Sequence, residues 1–208
     1  MNNTNNNSIT LIGDVHGKYQ DYLNIVKNHE YTIQLGDYGF KYESLKDVDH
    51  NNHLIIGGNH DNYDKVNSVP NYLGDYGYTV NFNGLNFFYY RGAYSIDRQD
   101  RTIGINWWEQ EQVTIDQFMK ARELYREVKP EIVLTHDCPE SIVYQMLSPN
   151  HRIYQNITNW ALGELFNIHQ PKRWFFGHHH QSKTIQYGNT KFICLDELEI
   201  YSLAKDEY

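Results

Sequence analysis

The sequence predicts an α/β layered domain, and three observations carry that prediction. From Ser8 onward, short apolar runs alternate with segments of helical period. The run Glu131–Thr135 is nearly continuous in its apolar character, as expected of a strand covered on both faces. Five predicted strands end in a short polar segment rich in Asp, His and Asn. In α/β sheets, sites form outside the carboxyl ends of strands, so such segments can converge although they are far apart in sequence.

The first predicted strand, Ile9–Ile12, stops at Gly13, and Tyr19, Tyr22, Leu23 and Val26 then share one face of a helix. Strands follow at Tyr31–Leu35 and His53–Ile56, ending at Gly36 and Gly57. Asn83-Gly84 is a hairpin signal between strands around Tyr78–Asn81 and Leu85–Tyr90. Thr114 and Gln117 form a capping-box pattern before a helix that buries Phe118, Ala121, Tyr125 and Val128 and stops at Pro130. After Glu131–Thr135 come a helix from about Thr158 to Ile168 and a strand at Arg173–Phe176. A last hairpin, Thr184–Tyr187 with Lys191–Leu195, turns at Gly188-Asn189.

At 208 residues the chain is expected to be one domain, residues 9–208, behind a disordered Asn-rich tail at residues 1–8. No stretch is long and apolar enough to span a bilayer, so no membrane partner is expected. The N-terminus lacks the charged and apolar regions of a secretory signal. Two cysteines make no disulfide framework, and a reducing cytoplasm is the simplest compartment. A net charge of −8 does not favour a long polyanion such as nucleic acid. It leaves room for a small phosphoester substrate, because bound divalent ions reverse the sign locally.

The polar segments offer Asp14, His16, Asp37, Asn59, His136, His178 and His180. This mixed nitrogen and oxygen set suits Mn, Fe, Zn or Ni better than Mg or Ca. In an extended segment, residues two apart point the same way. Asp14 with His16, and His178 with His180, should therefore each face one site, with Val15 turned into the core and His179 turned away. Seven donors are too many for one tetrahedral ion and suit two adjacent ions with a bridging carboxylate. Two ions about 3.5–4 Å apart clamp the attacking and leaving oxygens of a phosphoryl displacement and make hydroxide available near neutral pH. His60 could protonate the leaving oxygen, with Asp61 orienting its ring.

The ordered set Asp14-x-His16, Gly36-Asp37, Gly58-Asn59-His60-Asp61, His136 and Gly177-His178-x-His180 resembles the signature of the calcineurin-like metallophosphoesterases. The resemblance implies a four-layer αββα sandwich: two mixed β-sheets packed face to face, with helices outside. It implies one metal ion on Asp14, His16, Asp37 and His180. The other would sit on Asp37, Asn59, His136 and His178, with Asp37 bridging. His60 would be the catalytic histidine, and Mn is the first expectation for both ions, ahead of Fe, Ni or Zn. The implied activity is hydrolysis of phosphate mono- or diesters, nucleotides or cyclic nucleotides among them. Gly36-Asp37-Tyr38-Gly39-Phe40 lacks the longer pattern of the Ser/Thr protein phosphatase branch. Arg91–Asp97 followed by Trp107-Trp108 is similar to small bacterial and phage members.

Arg98 and Arg101 are candidate phosphate-binding residues. Asp137 is a candidate partner of a ligand histidine. Trp107 and Trp108 are expected to pack, and His29, His50, His53, His151 and His169 to be ordinary core or surface residues. The competing functions are an inactive scaffold of the same fold and a nuclease. A scaffold usually loses ligands or the catalytic histidine, whereas all are present. A nuclease is expected to carry a basic stripe, which this chain lacks.

Overall fold

A computed structural model describes residues 8–146 and 154–208; residues 1–7 of the predicted tail and His151 lie outside them. In chain order the described elements are β1 (Ile9–Ile12), α1 (Tyr19–Asn28), β2 (Thr32–Gln34), β3 (His53–Ile55), β4 (Tyr76–Phe82), β5 (Leu85–Tyr90) and α2 (Ile115–Val128). Then come β6 (Ile132–Thr135), α3 (Glu140–Met146), α4 (Ile157–Ile168), β7 (Arg173–Phe176), β8 (Lys183–Tyr187), β9 (Thr190–Cys194) and β10 (Ile200–Leu203). One sheet has the order β10-β1-β2-β3, the other β4-β5-β6-β7-β9-β8. Both are mixed. The strands β1, β2 and β3 are parallel, as are β5, β6, β7 and β9, while β10, β4 and β8 run antiparallel to their neighbours.

The period-2 alternation of side chains decides the layering. From β5, Leu85, Phe87 and Tyr89 enter the core between the sheets, where they meet Ile9, Leu11, Ile33, Ile132, Leu134, Phe175 and Ile193. Phe88 and Tyr90, together with Val133, Trp174, Phe176 and Phe192, face the other way. They pack against Phe118, Ala121 and Tyr125 of α2, Ile142 and Val143 of α3, and Leu162, Leu165 and Phe166 of α4. On the outer face of the smaller sheet, Ile12 and Ile55 pack with Tyr22 and Val26 of α1. The result is the four-layer αββα sandwich. Each fully buried aromatic in it contributes roughly 1.5–3 kcal/mol relative to exposure.

Thr114 caps α2 through the capping box, and Lys129 ends it at φ +43°, just before Pro130. Helix α4 starts one residue earlier than expected because Asn156 accepts the N–H of Asn159 at 2.9 Å. Two elements have no counterpart in the sequence expectation. Helix α3 is described over seven residues, a span too short to establish a period. Strand β10 is an edge strand with one buried residue, Leu203, and its partner β1 lies at the other end of the sequence.

Candidate metal centre

The polar segments follow β1 (Asp14, His16), β2 (Asp37), β3 (Asn59, His60), β6 (His136) and β7 (His178, His180). All are carboxyl ends of strands in the parallel parts of the two sheets, which brings the segments to one place. The backbone there is not extended. His16, Asp37, His178 and His180 have φ of +46°, +56°, +64° and +48°. Left-handed backbone, rather than the two-residue alternation of a strand, aims these side chains. Asp and His adopt this region more readily than most residues, at a cost of order 1–3 kcal/mol each. Two glycines permit the crowding. A Cβ on Gly58 would fall 2.2 Å from Asp37 Oδ1, and one on Gly177 2.1 Å from Asp14 Oδ1.

Asp14 Oδ2 lies 3.1 Å from His180 Nε2 and 3.6 Å from His16 Nε2, and those two nitrogens are 2.8 Å apart. Asp37 Oδ2 lies 3.5 Å from His16 Nε2, while its Oδ1 lies 3.2 Å from His136 Nε2. His136 Nε2 is also 3.1 Å from Asn59 Oδ1. Its Nδ1 is 2.8 Å from the carbonyl of Leu35, an obligate acceptor, so Nδ1 donates and Nε2 faces inward. Asp14 takes the backbone N–H of His178 at 3.1 Å, and Asp37 takes that of His60 at 2.6 Å. Burial alone would lower the pKa of His136, but the carboxylates of Asp37 and Asp14 outweigh it and push the ring up to about 10. Burial takes His178 down to about 4.

The donors therefore gather in two groups, Asp14 with His16 and His180, and Asp37 with His136 and His178; Asp37 also joins His16 and His60. Within each group one donor atom per residue lies within 4.8 Å of the others. Carboxylates and imidazoles converging at this spacing fit borderline divalent ions.

The neighbours of His60 differ from expectation. Its Nε2 is 2.7 Å from Arg101 Nη2, and burial, reinforced by that guanidinium, holds the ring below its ordinary pKa. Asp61 does not orient the ring. It is buried and accepts the N–H of Gly39 (3.1 Å), the N–H of Gly58 (2.7 Å) and the hydroxyl of Tyr42 (3.0 Å). It thus ties the Asp37 segment to the Asn59 segment. Of the two candidate arginines, Arg101 lines the cleft and is also bonded to Asp97 (2.6 Å). Arg98 is exposed and sits 4.8 Å over the ring of Tyr94.

His179 is not turned away. Its Nε2 is 3.0 Å from Asp137 Oδ1, and Asp137 Oδ2 takes an amide hydrogen of Asn159 at 2.7 Å and lies 3.9 Å from His178 Nε2. Trp108 is core, donating to Asp64 at 2.7 Å. Ser95 and Glu111 escaped the sequence reading. Ser95 receives Asn59 Nδ2 at 3.0 Å and Arg101 Nη1 at 3.2 Å, and donates to Glu111 Oε2 at 2.6 Å. Glu111 lies among Glu109, Gln110 and Gln112, a stretch that reads as solvated, yet it is buried. The cleft above these groups has a volume of about 410 Å³, and Asp37, His60, Tyr94, Arg101 and Asn156 are among its lining residues.

The sequence model of the calcineurin-like phosphoesterase family matches residues 8–182, which include every donor named above. Among solved structures, the chain is similar to the phosphopantetheinyl hydrolase PptH from Mycobacterium tuberculosis. That match has 9% identity and a TM-score of 0.57, covering 91% of this chain and 89% of that one. It is also similar to a dimetal phosphatase from Danio rerio, with 12% identity and a TM-score of 0.53, covering 92% and 87%. No curated protein sequence matches it. At these identities the structural likeness is one of fold, which agrees with the family match: the chain belongs to the calcineurin-like phosphoesterase family.

Proposed function

We propose that the chain is a dinuclear metal-dependent phosphoesterase acting on small phosphate mono- or diesters, nucleotides and cyclic nucleotides among the candidates. One observation carries this reading: two donor groups share a neighbourhood around Asp37, and His60 with Arg101 stands beside them on a cleft. Asp14, His16, Asp37 and His180 would hold one ion, and Asp37, Asn59, His136 and His178 the other. When bound, such a pair supplies an ionised water near neutral pH and a clamp on phosphate oxygens. The donor set accepts several metals; manganese is the first expectation, with iron, nickel or zinc as alternatives, and availability rather than intrinsic affinity decides among them.

The chain's own groups do the rest. Arg101 is braced by Asp97 and Ser95 and presents its guanidinium to the cleft, where a phosphate oxygen would find a charged donor. Arginine can only donate, so His60 Nε2 accepts and its ring proton is on Nδ1. A phosphate that draws Arg101 to itself frees Nε2 to face the leaving oxygen, and the added negative charge favours the protonated ring that assists its departure. The cleft volume lies in the usual range for small-ligand sites. The net charge of −8 favours a small ester over a polynucleotide. Both cysteines are free and buried, in keeping with a reducing cytoplasm.

The test is a screen of the metal-loaded protein against aryl phosphate mono- and diesters, nucleotides and cyclic nucleotides, with DNA and RNA as comparators. Hydrolysis of small esters is expected, with His60→Ala costing about 10²–10⁴-fold in rate. Absence of turnover on every ester with both ions loaded would refute the reading, and faster cleavage of polynucleotide would replace it with a nuclease.

A further inference from the structure

An asparagine binds a metal ion only through its amide oxygen, so Asn59 can serve the centre only if its NH₂ group is held elsewhere. The structure shows what holds it. Ser95 Oγ has one hydrogen to give and two lone pairs, and it has three partners: Arg101 Nη1 at 3.2 Å, Asn59 at 3.0 Å and Glu111 Oε2 at 2.6 Å. Arginine can only donate, and a carboxylate can only accept. The hydroxyl hydrogen is thereby committed to Glu111, and the remaining lone pair must receive a hydrogen from Asn59. That leaves Asn59 Oδ1 turned toward His136 Nε2, 3.1 Å away. Glu111 is itself fixed, because its Oε1 accepts the backbone N–H of Ser95 at 3.1 Å. Gly92 N–H bonds the Gly57 carbonyl at 2.8 Å, and Ala93 N–H bonds the Glu111 carbonyl at 3.2 Å, so the segments are held together by backbone as well.

We propose that Ser95 and Glu111 are positioning residues that set the orientation of the Asn59 amide and so define one metal position. This rests on the metal-centre reading above. The direction of the relay depends on Glu111 having two acceptor oxygens. In Glu111→Gln, an isosteric change, the new NH₂ cannot face the Ser95 N–H. It must face Ser95 Oγ and donate to it. The hydroxyl hydrogen then turns to Asn59, whose amide rotates and offers NH₂ to the metal position.

The experiment is a calorimetric titration of manganese into metal-free wild type, Glu111→Gln, Asn59→Asp and the double variant. A carboxylate at position 59 has no NH₂ to hold and two equivalent oxygens, so its aim does not depend on the relay. Glu111→Gln is expected to weaken one of the two sites about 10–100-fold in the Asn59 protein. In the Asn59→Asp background it should have a much smaller effect, the difference being the coupling. Ser95→Ala should show the same background dependence, and Ser95→Thr, which keeps the hydroxyl, should bind as the wild type does. Equal losses in both backgrounds would mark a plain charge or folding effect and overturn the relay, as would wild-type affinity in Glu111→Gln. A wild-type protein that binds no manganese would overturn the centre itself, a distinct outcome from two bound ions with an indifferent Glu111→Gln.

Discussion

Gly177→Ala adds one methyl group at the end of β7, and it should unseat a metal ion. The backbone of Gly177 is outside the left-handed region, so alanine's own preferences are not at issue. The added carbon would stand 2.1 Å from Asp14 Oδ1, where contacts below 3.4 Å are already tight, so one partner must give way by about 1.3 Å. Asp14 has nowhere to go. It is fully buried, bonded to the His178 N–H and flanked by His180. Metal–carboxylate bonds of about 2.0–2.2 Å do not survive a displacement of that size. Overpacking should cost about 1–3 kcal/mol of stability. Affinity for the ion on Asp14 should fall by more than the roughly 10–100-fold typical of changes outside the ligand shell. Metal content after dialysis and urea unfolding of the metal-free protein read the two effects separately. Gly163→Ala is the matched control: it lies inside α4 with nothing within 4 Å of the new carbon and should stabilise by about 0.5–1 kcal/mol. Wild-type retention of both ions by Gly177→Ala would refute the placement of Asp14.

Because Asp37 and Asp14 keep His136 protonated up to about 10, metal must displace that proton at neutral pH. Apparent affinity should therefore rise between about pH 6 and 9, roughly tenfold per unit for each proton displaced, and calorimetry in buffers of different ionisation enthalpy should detect the release; an affinity flat across that range is the contrary result. Arg101→Ala should raise KM for a phosphoester about 10–100-fold, and lysine should not restore it, because a single ammonium cannot reproduce the fork to Asp97, Ser95 and His60. Unchanged KM would remove Arg101 from the site. Asp61→Ala strands the N–H groups of Gly39 and Gly58 and should lower stability by about 3–5 kcal/mol in urea unfolding. A loss below about 1 kcal/mol with a large fall in turnover would return Asp61 to a role at His60.

The strands that carry the donors were legible because each is a short apolar run stopped by a polar segment. Burial of Ile9, Ile33, Val133 and Phe175 is what that pattern encodes. The seven donors were legible for a related reason: their chemistry is unusual at strand ends, and their order matches a family. Their aim was not, since left-handed φ at His16, Asp37, His178 and His180 comes from packing of the segments against one another. Asp61 illustrates the limit. Its place beside His60 in sequence suggested contact with the ring, but the turn directs its carboxylate toward Gly39 and Tyr42 instead. Ser95 and Glu111 are sixteen residues apart, and neither has a local pattern that signals their pairing around Asn59. Strand β10 was hidden because it lies at a sheet edge and buries only Leu203 fully.

In the function proposed for this protein, the Asp14-to-His180 donors hold two ions that act together on a phosphoester. Stepwise addition of manganese to the metal-free protein, with aryl phosphate hydrolysis followed at each step, tests it most directly. Little turnover is expected up to one equivalent, with a steep rise as the second ion binds. Full turnover at one equivalent, or none at two, would contradict it.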